Sequence, residues 1–188
     1  MKKRIVIIGQ KKGYKVEKRD LYNVERKLIG ETIYKGEEIP KNRRVLVVIV
    51  FIQNSRGEFL IQKRSQQKGG KYGTTGGHPK TGESSIQGML TEIKEEISID
   101  VLPKEMTFLY SEDDVKGCVF VDTYYLNKDL KIENLVLQTE EVESLKWCSV
   151  TEIEKLYKQN LFMETHYIAF QNCLTFLKDG VNLKNFSI

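Results

Sequence analysis

Apolar positions along this chain follow two different periods. Val45 to Ile52 is an unbroken, largely β-branched apolar run, which predicts a strand buried on both faces. From Ile86 the period lengthens: Ile86, Met89, Leu90, Ile93 and Ile97 recur every three or four residues behind Ser84 or Ser85 as N-cap. That spacing predicts a short helix with a single core-facing stripe. After an Asn54-Ser55-Arg56-Gly57 turn, Glu58 to Arg64 alternates as a strand, and Met106 to Tyr110, Cys118 to Leu126 and Ser144 to Cys148 predict three more. Ser149 or Thr151 caps a helix, with Glu152 and Glu154 as capping-box partners, and a last helix spans Phe162 to Leu177. Upstream, Arg4 to Ile8 reads as a strand with a Gly9 to Gly13 turn after it. Lys15 to Asp20 and Lys27 to Tyr34 read as a hairpin turning at Tyr22-Asn23. Pro40 and a basic run then lead into the main domain. The expected division is a basic extension or hairpin over 1–43, a main domain over 44–178 and a tail over 179–188. Strands mixed with a few helices, without repeats or low-complexity tracts, predict an α/β (α+β) sandwich.

Composition changes this picture little. The 188 residues suffice for one domain with a real core, and 40% hydrophobic with 30% charged residues is ordinary for a soluble chain. Cys118, Cys148 and Cys173 are few and widely spaced, which suits a reducing compartment and offers no metal-ligand spacing. The apolar run in MKKRIVIIG is too short for a signal peptide or a membrane span, so a cytoplasmic protein is expected. The glycines that follow lack the spacing of a dinucleotide fingerprint. Net charge divides unevenly: residues 1–44 carry 14 Lys and Arg against 6 Asp and Glu, and the remainder carries 16 against 20. A solvated extension accounts for the basic arm better than a nucleic-acid partner does, and a homodimer stays open.

The chemistry concentrates in Gly76 to Ile99. Glu92, Glu95 and Glu96 share an arc of the helix well off its apolar stripe. Acidic helix faces are ordinarily solvated and laced with ion pairs, but no Lys or Arg lies three or four residues from any of these glutamates. A hard divalent cation held by carboxylate oxygens would neutralise the cluster, and Glu83 in the preceding loop can reach it.

Aligned from Gly77, these residues resemble the Nudix box, G-x5-E-x7-R-E-U-x-E-E-x-G-U, where U is bulky aliphatic. Gly77, Glu83, Glu92, Ile93, Glu95, Glu96 and Ile99 match, whereas Thr91 replaces Arg and Ser98 replaces Gly. The resemblance covers roughly residues 44 to 175. It implies a Nudix-type α/β/α sandwich with a mixed central sheet, Mg2+ or Mn2+ as cofactor, and hydrolysis of a small diphosphate compound. Carried over residue by residue, it implies metal ligands at Gly77, Glu92, Glu95 and Glu96, with Glu92, Glu96 and Glu83 in catalysis. Lys63, Arg64, Lys68 and Lys71 precede the box, and of these Arg64, Lys68 and Lys71 are the candidates for holding the diphosphate. Glu141 or Glu143 is where the family often supplies a further ligand or base. Thr91 cannot anchor a box glutamate by charge. Its hydroxyl offers a neutral contact to Glu95 or Glu92 at most, leaving Lys80 or Lys94 as the nearest cation in sequence.

Gly77-His78-Pro79 and the Arg64-to-Lys68 spacing are similar to the isopentenyl-diphosphate isomerase branch, which implies His78 as a ligand. That branch's catalytic cysteine position is Gly76 here, and its upstream histidines are missing. Hydrolysis is therefore the expected activity. A non-catalytic nucleotide-binding sensor and an isomerase-like enzyme are the alternatives. His166, alone on a largely apolar helix, is expected to pack rather than to catalyse.

Overall fold

The computed structural model describes residues 17–179. The strand expected over Arg4 to Ile8 and the turn after it lie outside that range. The chain forms β1 (Lys18–Asn23), β2 (Leu28–Tyr34), β3 (Arg43–Gln53), β4 (Phe59–Arg64), β5 (Tyr72–Gly73), β6 (Thr75–Gly77), α1 (Ser85–Ile97), β7 (Met106–Asp114), β8 (Val119–Asn127), β9 (Val142–Cys148), α2 (Val150–Lys158) and α3 (Glu164–Lys178). The short strands β5 and β6 sit in what the sequence presents as a glycine-rich loop. The hairpin turn falls one step later than expected, because Asn23 ends β1 and its side chain accepts from the N–H groups of Glu25 and Lys27 at 3.0 and 2.9 Å.

The mixed sheet is organised on β3. Val45 to Gln53 run parallel to β8 along one edge. On the other edge, Arg43 and Arg44 pair with β1 and Val48 to Val50 pair antiparallel with β6. β8 continues antiparallel to β7, and β4 pairs antiparallel with both β5 and β9. Alternation along β3 sends Leu46, Val48, Val50 and Ile52 to one face, where Met89, Ile93 and Ile97 of α1 cover them. Ile49 and Phe51 point to the other face, under Phe170 and Cys173 of α3 and Ile153 of α2. Both faces are thus covered, which is why the run carries no polar position, and the expected α/β/α sandwich is the fold observed. The hairpin β1–β2 adds a small cluster of Leu21 and Ile33 against Val45. No helix among the described residues is long and apolar enough to cross a membrane.

Candidate active site

The site is built where β6 leaves the sheet and the chain turns into α1. Ser84 caps α1 reciprocally with Gln87. Gly88, on the first turns of α1, lies on the Pro79 ring: a Cβ there would stand 2.5 Å from Pro79 Cγ. Helix and loop therefore pack in direct contact, and only glycine permits it. At Gly77 a Cβ would overlap the Glu92 carboxyl group, so the box glycine makes room for that side chain against the backbone.

Glu96 is 5% exposed, and its Oε2 accepts the Gly76 N–H at 3.3 Å. Burial, followed by the charge of Glu92, pushes its pKa up to about 8, although a Gln62 hydrogen bond opposes the shift. Burial and then the charge of Glu95 push Glu92 up to about 7, against the opposing His78 N–H. Among the described residues neither carboxylate forms an ion pair. Glu95 turns outward and pairs with Lys80, whereas Lys94 pairs with Asp100 at 2.7 Å. Glu83 accepts the Lys80 N–H at 2.7 Å and the Thr91 hydroxyl at 2.8 Å. Thr91 thus contacts Glu83, not Glu92 or Glu95, because the loop brings Glu83 onto its face of the helix.

As the chain stands, no three His, Cys, Asp or Glu side chains among the described residues converge as a metal-binding group. With Lys80 holding Glu95 away, the three helix glutamates that share an arc do not point to one place. The donor set nevertheless fits a hard divalent cation: two crowded carboxylates without a counter-cation, a third one turn along, and a backbone opened by glycine.

The expected diphosphate cations each have a different partner, although the Arg64 N–H bonds the Lys71 carbonyl at 3.0 Å. Lys68 pairs with Glu141 at 2.6 Å, Lys71 reaches Asn160 at 2.8 Å, and Arg64 lies 3.3 Å from Met163 Sδ. Glu141 is near enough for its charge to act on Glu96, whereas Glu143 is held by Lys63 at 2.5 Å. His78 Nδ1 meets the Leu46 carbonyl at 2.9 Å, and burial, then Arg19, lowers its pKa to about 4. A neutral ring whose Nδ1 donates to Leu46 fills the gap between β1 and β6 on the β3 edge. His166 packs as expected, its Nδ1 accepting the Thr74 N–H at 3.0 Å. Gln62, 3% exposed and bonded by Thr75 at 3.2 Å, is a further polar group beside Glu96. The alternation expected of Glu58 to Arg64 gives no sign of it, because Phe59 to Gln62 are all buried, with both faces of β4 covered.

The profile of the NUDIX domain matches residues 43–169. A Listeria monocytogenes protein described as an uncharacterized Nudix hydrolase is 32% identical over 176 residues, covering 90% of this chain and 96% of its own. An isopentenyl-diphosphate Delta-isomerase of Escherichia coli is 24% identical over 107 residues, covering 53% of this chain and 59% of its own. Among solved structures, a Deinococcus radiodurans protein superposes with a TM-score of 0.63 at 21% identity, covering 76% of this chain and 90% of that one. The NUDIX domain of Shewanella oneidensis NrtR, complexed with ADP ribose, gives 0.58 at 18% identity, with 71% and 88% covered. With well over half its length matched by the family and a Nudix hydrolase 32% identical along nine-tenths of it, the chain belongs to the NUDIX domain family, among the Nudix hydrolases.

Proposed function

We propose that this chain hydrolyses the diphosphate bond of a small compound, such as a nucleoside diphosphate linked to another group, with Mg2+ or Mn2+ bound by Glu92, Glu95, Glu96 and the Gly77 carbonyl. The observation that carries this reading is the pair Glu92 and Glu96, crowded beside a glycine backbone with protonation midpoints of about 7 and 8. Such a pair is poorly satisfied alone and well satisfied by a cation. A bound divalent ion supplies electrophilic polarisation of the diphosphate and acidifies an attacking water. The protein's own groups do the rest. Gly76 N–H and Gln62 fix the Glu96 carboxylate, and the His78 N–H supports Glu92. Glu83 is steadied by Lys80 and Thr91. As the water oxygen bonds to phosphorus and the bridging P–O bond breaks, the water's proton passes to a carboxylate of this cluster acting as general base. Arg64, Lys68 and Lys71 are proposed to receive the diphosphate, with Lys68 exchanging Glu141 for phosphate oxygens.

The test is a panel of ADP-ribose, nucleotide sugars, dinucleoside polyphosphates, NADH, thiamine diphosphate, oxidised nucleotides and isoprenoid diphosphates with Mg2+ or Mn2+. ADP-ribose comes first because the Shewanella NUDIX domain is complexed with it. Glu96→Gln is expected to abolish cleavage of whichever compound is cut, and near-wild-type turnover by that variant would refute the assignment.

A further inference from the structure

The hairpin β1–β2 lies outside the family-matched residues, yet it meets the box loop directly and the start of the box helix through Asp122 of β8. The Lys18 carbonyl accepts the Thr81 N–H at 3.1 Å, and the Asp20 carboxylate accepts the Gly82 N–H at 2.8 Å. From the hairpin turn, Arg26 pairs with Asp122 of β8, which is 1% exposed. Ser85, the first residue of α1, donates to that same Asp122 oxygen and also meets the Tyr124 hydroxyl at 2.7 Å. Asp122 Oδ1 is buried with no partner among the described residues, so Arg26 supplies the positive charge this carboxylate needs.

What the hairpin holds decides the consequence. Thr81 and Gly82 sit between Lys80, which pairs with Glu95 and donates its N–H to Glu83, and Glu83 itself, which Thr91 steadies. Gly82 has φ +85° and a Cβ there would meet nothing within 4 Å, so hydrogen bonds rather than packing fix this part of the loop. Without Asp20, Gly82 is held only through its neighbours, by the Thr81 N–H on Lys18 and the Glu83 N–H on the Lys80 carbonyl at 2.9 Å, so the turn can shift and carry Lys80 and Glu83 with it.

We infer that the β1–β2 hairpin is a clamp that sets the box loop for metal binding, with Asp20 and Arg26 as positioning residues. It makes the hairpin a working part of the domain instead of an appended arm. The inference rests on the metal-dependent reading proposed above, and the experiment separates the two. Mn2+ alone is titrated calorimetrically into the full-length wild type, Glu96→Gln, Asp20→Ala and Asp20→Asn, with each variant's melting temperature recorded. Wild type is expected to bind and Glu96→Gln to bind much more weakly. Asp20→Ala loses a hydrogen bond to a charged acceptor, so its Mn2+ affinity is expected to fall about tenfold while it stays folded at the assay temperature. Asp20→Asn still offers an oxygen to Gly82 and should remain within about twofold of wild type. Lack of Mn2+ binding by wild type would overturn the metal reading and the clamp together. Wild-type binding with equal binding by Asp20→Ala, or an Asn variant as impaired as Ala, would overturn the clamp alone. Should Asp20→Ala fail to fold, the double variant Arg26→Gln with Asp122→Asn decides instead. It removes the ionic tie without leaving a bare buried charge, and an unchanged affinity there would overturn the clamp.

Discussion

Thr91 directs its hydroxyl to a carboxylate eight residues back, and this changes what its departure from the box pattern means. Glu83 has one backbone donor and one side-chain donor, so Thr91→Val would leave it the Lys80 N–H alone. One lost hydrogen bond to a charged group corresponds to a drop in kcat/KM of about tenfold or more, with little change in melting temperature. Steady-state kinetics on the cleaved panel compound would check this, and wild-type turnover would show that Glu83 needs no donor from the helix. The cation is supplied elsewhere, as Lys80 pairs with Glu95. For Glu92 and Glu96 the folded midpoints of about 7 and 8 exceed the ordinary 4.5, so the folded protein holds more protons than the unfolded chain between those values. Their effect therefore lowers metal-free stability as pH rises through that window. His78 works oppositely: its depressed midpoint, about 4, adds stability that is lost as pH falls below 6.5. Among the described residues the glutamates dominate above pH 6.5, so the metal-free melting temperature is expected to drop by roughly 5 °C between pH 6.5 and 8.5. Saturating Mn2+ or Glu96→Gln should flatten that slope, and a metal-free wild type with no slope would contradict the crowded pair.

The short strand β6 carries constraints that individual side chains do not reveal. A Cβ at Gly76 would overlap the Val48 carbonyl and stand 2.7 Å from Ile49 Cγ2, because β6 lies antiparallel on β3 there. Gly76→Cys, which restores the isomerase-like residue, is therefore expected to lower the melting temperature and to create no isomerase activity. Interconversion of isopentenyl and dimethylallyl diphosphates by the wild type, followed by isotope exchange or chromatography, would count against the hydrolytic reading. The start of β9 separates two candidates that the sequence leaves equal, Glu141 just before the strand and Glu143 within it. Glu141, paired with Lys68 and felt by Glu96, should alter the Mg2+ dependence of turnover when changed to Ala, whereas Glu143→Ala should not, since Lys63 holds that side chain away. The long elements were legible because each announces its period: the unbroken run of β3 and the stripe of α1 need no tertiary information. β5 and β6 were not legible, being two and three residues long and defined only by their partners on β4 and β3. In the site, the carboxylates could be read from helix spacing. The outward turn of Glu95 and the burial of Gln62 could not, since both depend on residues distant in sequence or on packing.

Across the whole molecule, the sandwich joins segments made far apart in time. The parallel partner of β3 is β8, and Val45 meets Val119 only after the box loop, α1 and β7 have all been threaded between them. A chain emerging from the ribosome therefore presents Val45 to Ile52 long before the strand that completes one of its edges exists. Pairing at such separation is slow, and an uncharged β-branched stretch left waiting is a template for association between nascent chains. The early hairpin, local in sequence and already able to pair with Arg43 and Arg44, gives this stretch its first neighbour. Expression yield and chaperone demand should accordingly be governed by how fast residues 54–127 follow, a vulnerability of synthesis that equilibrium stability does not register.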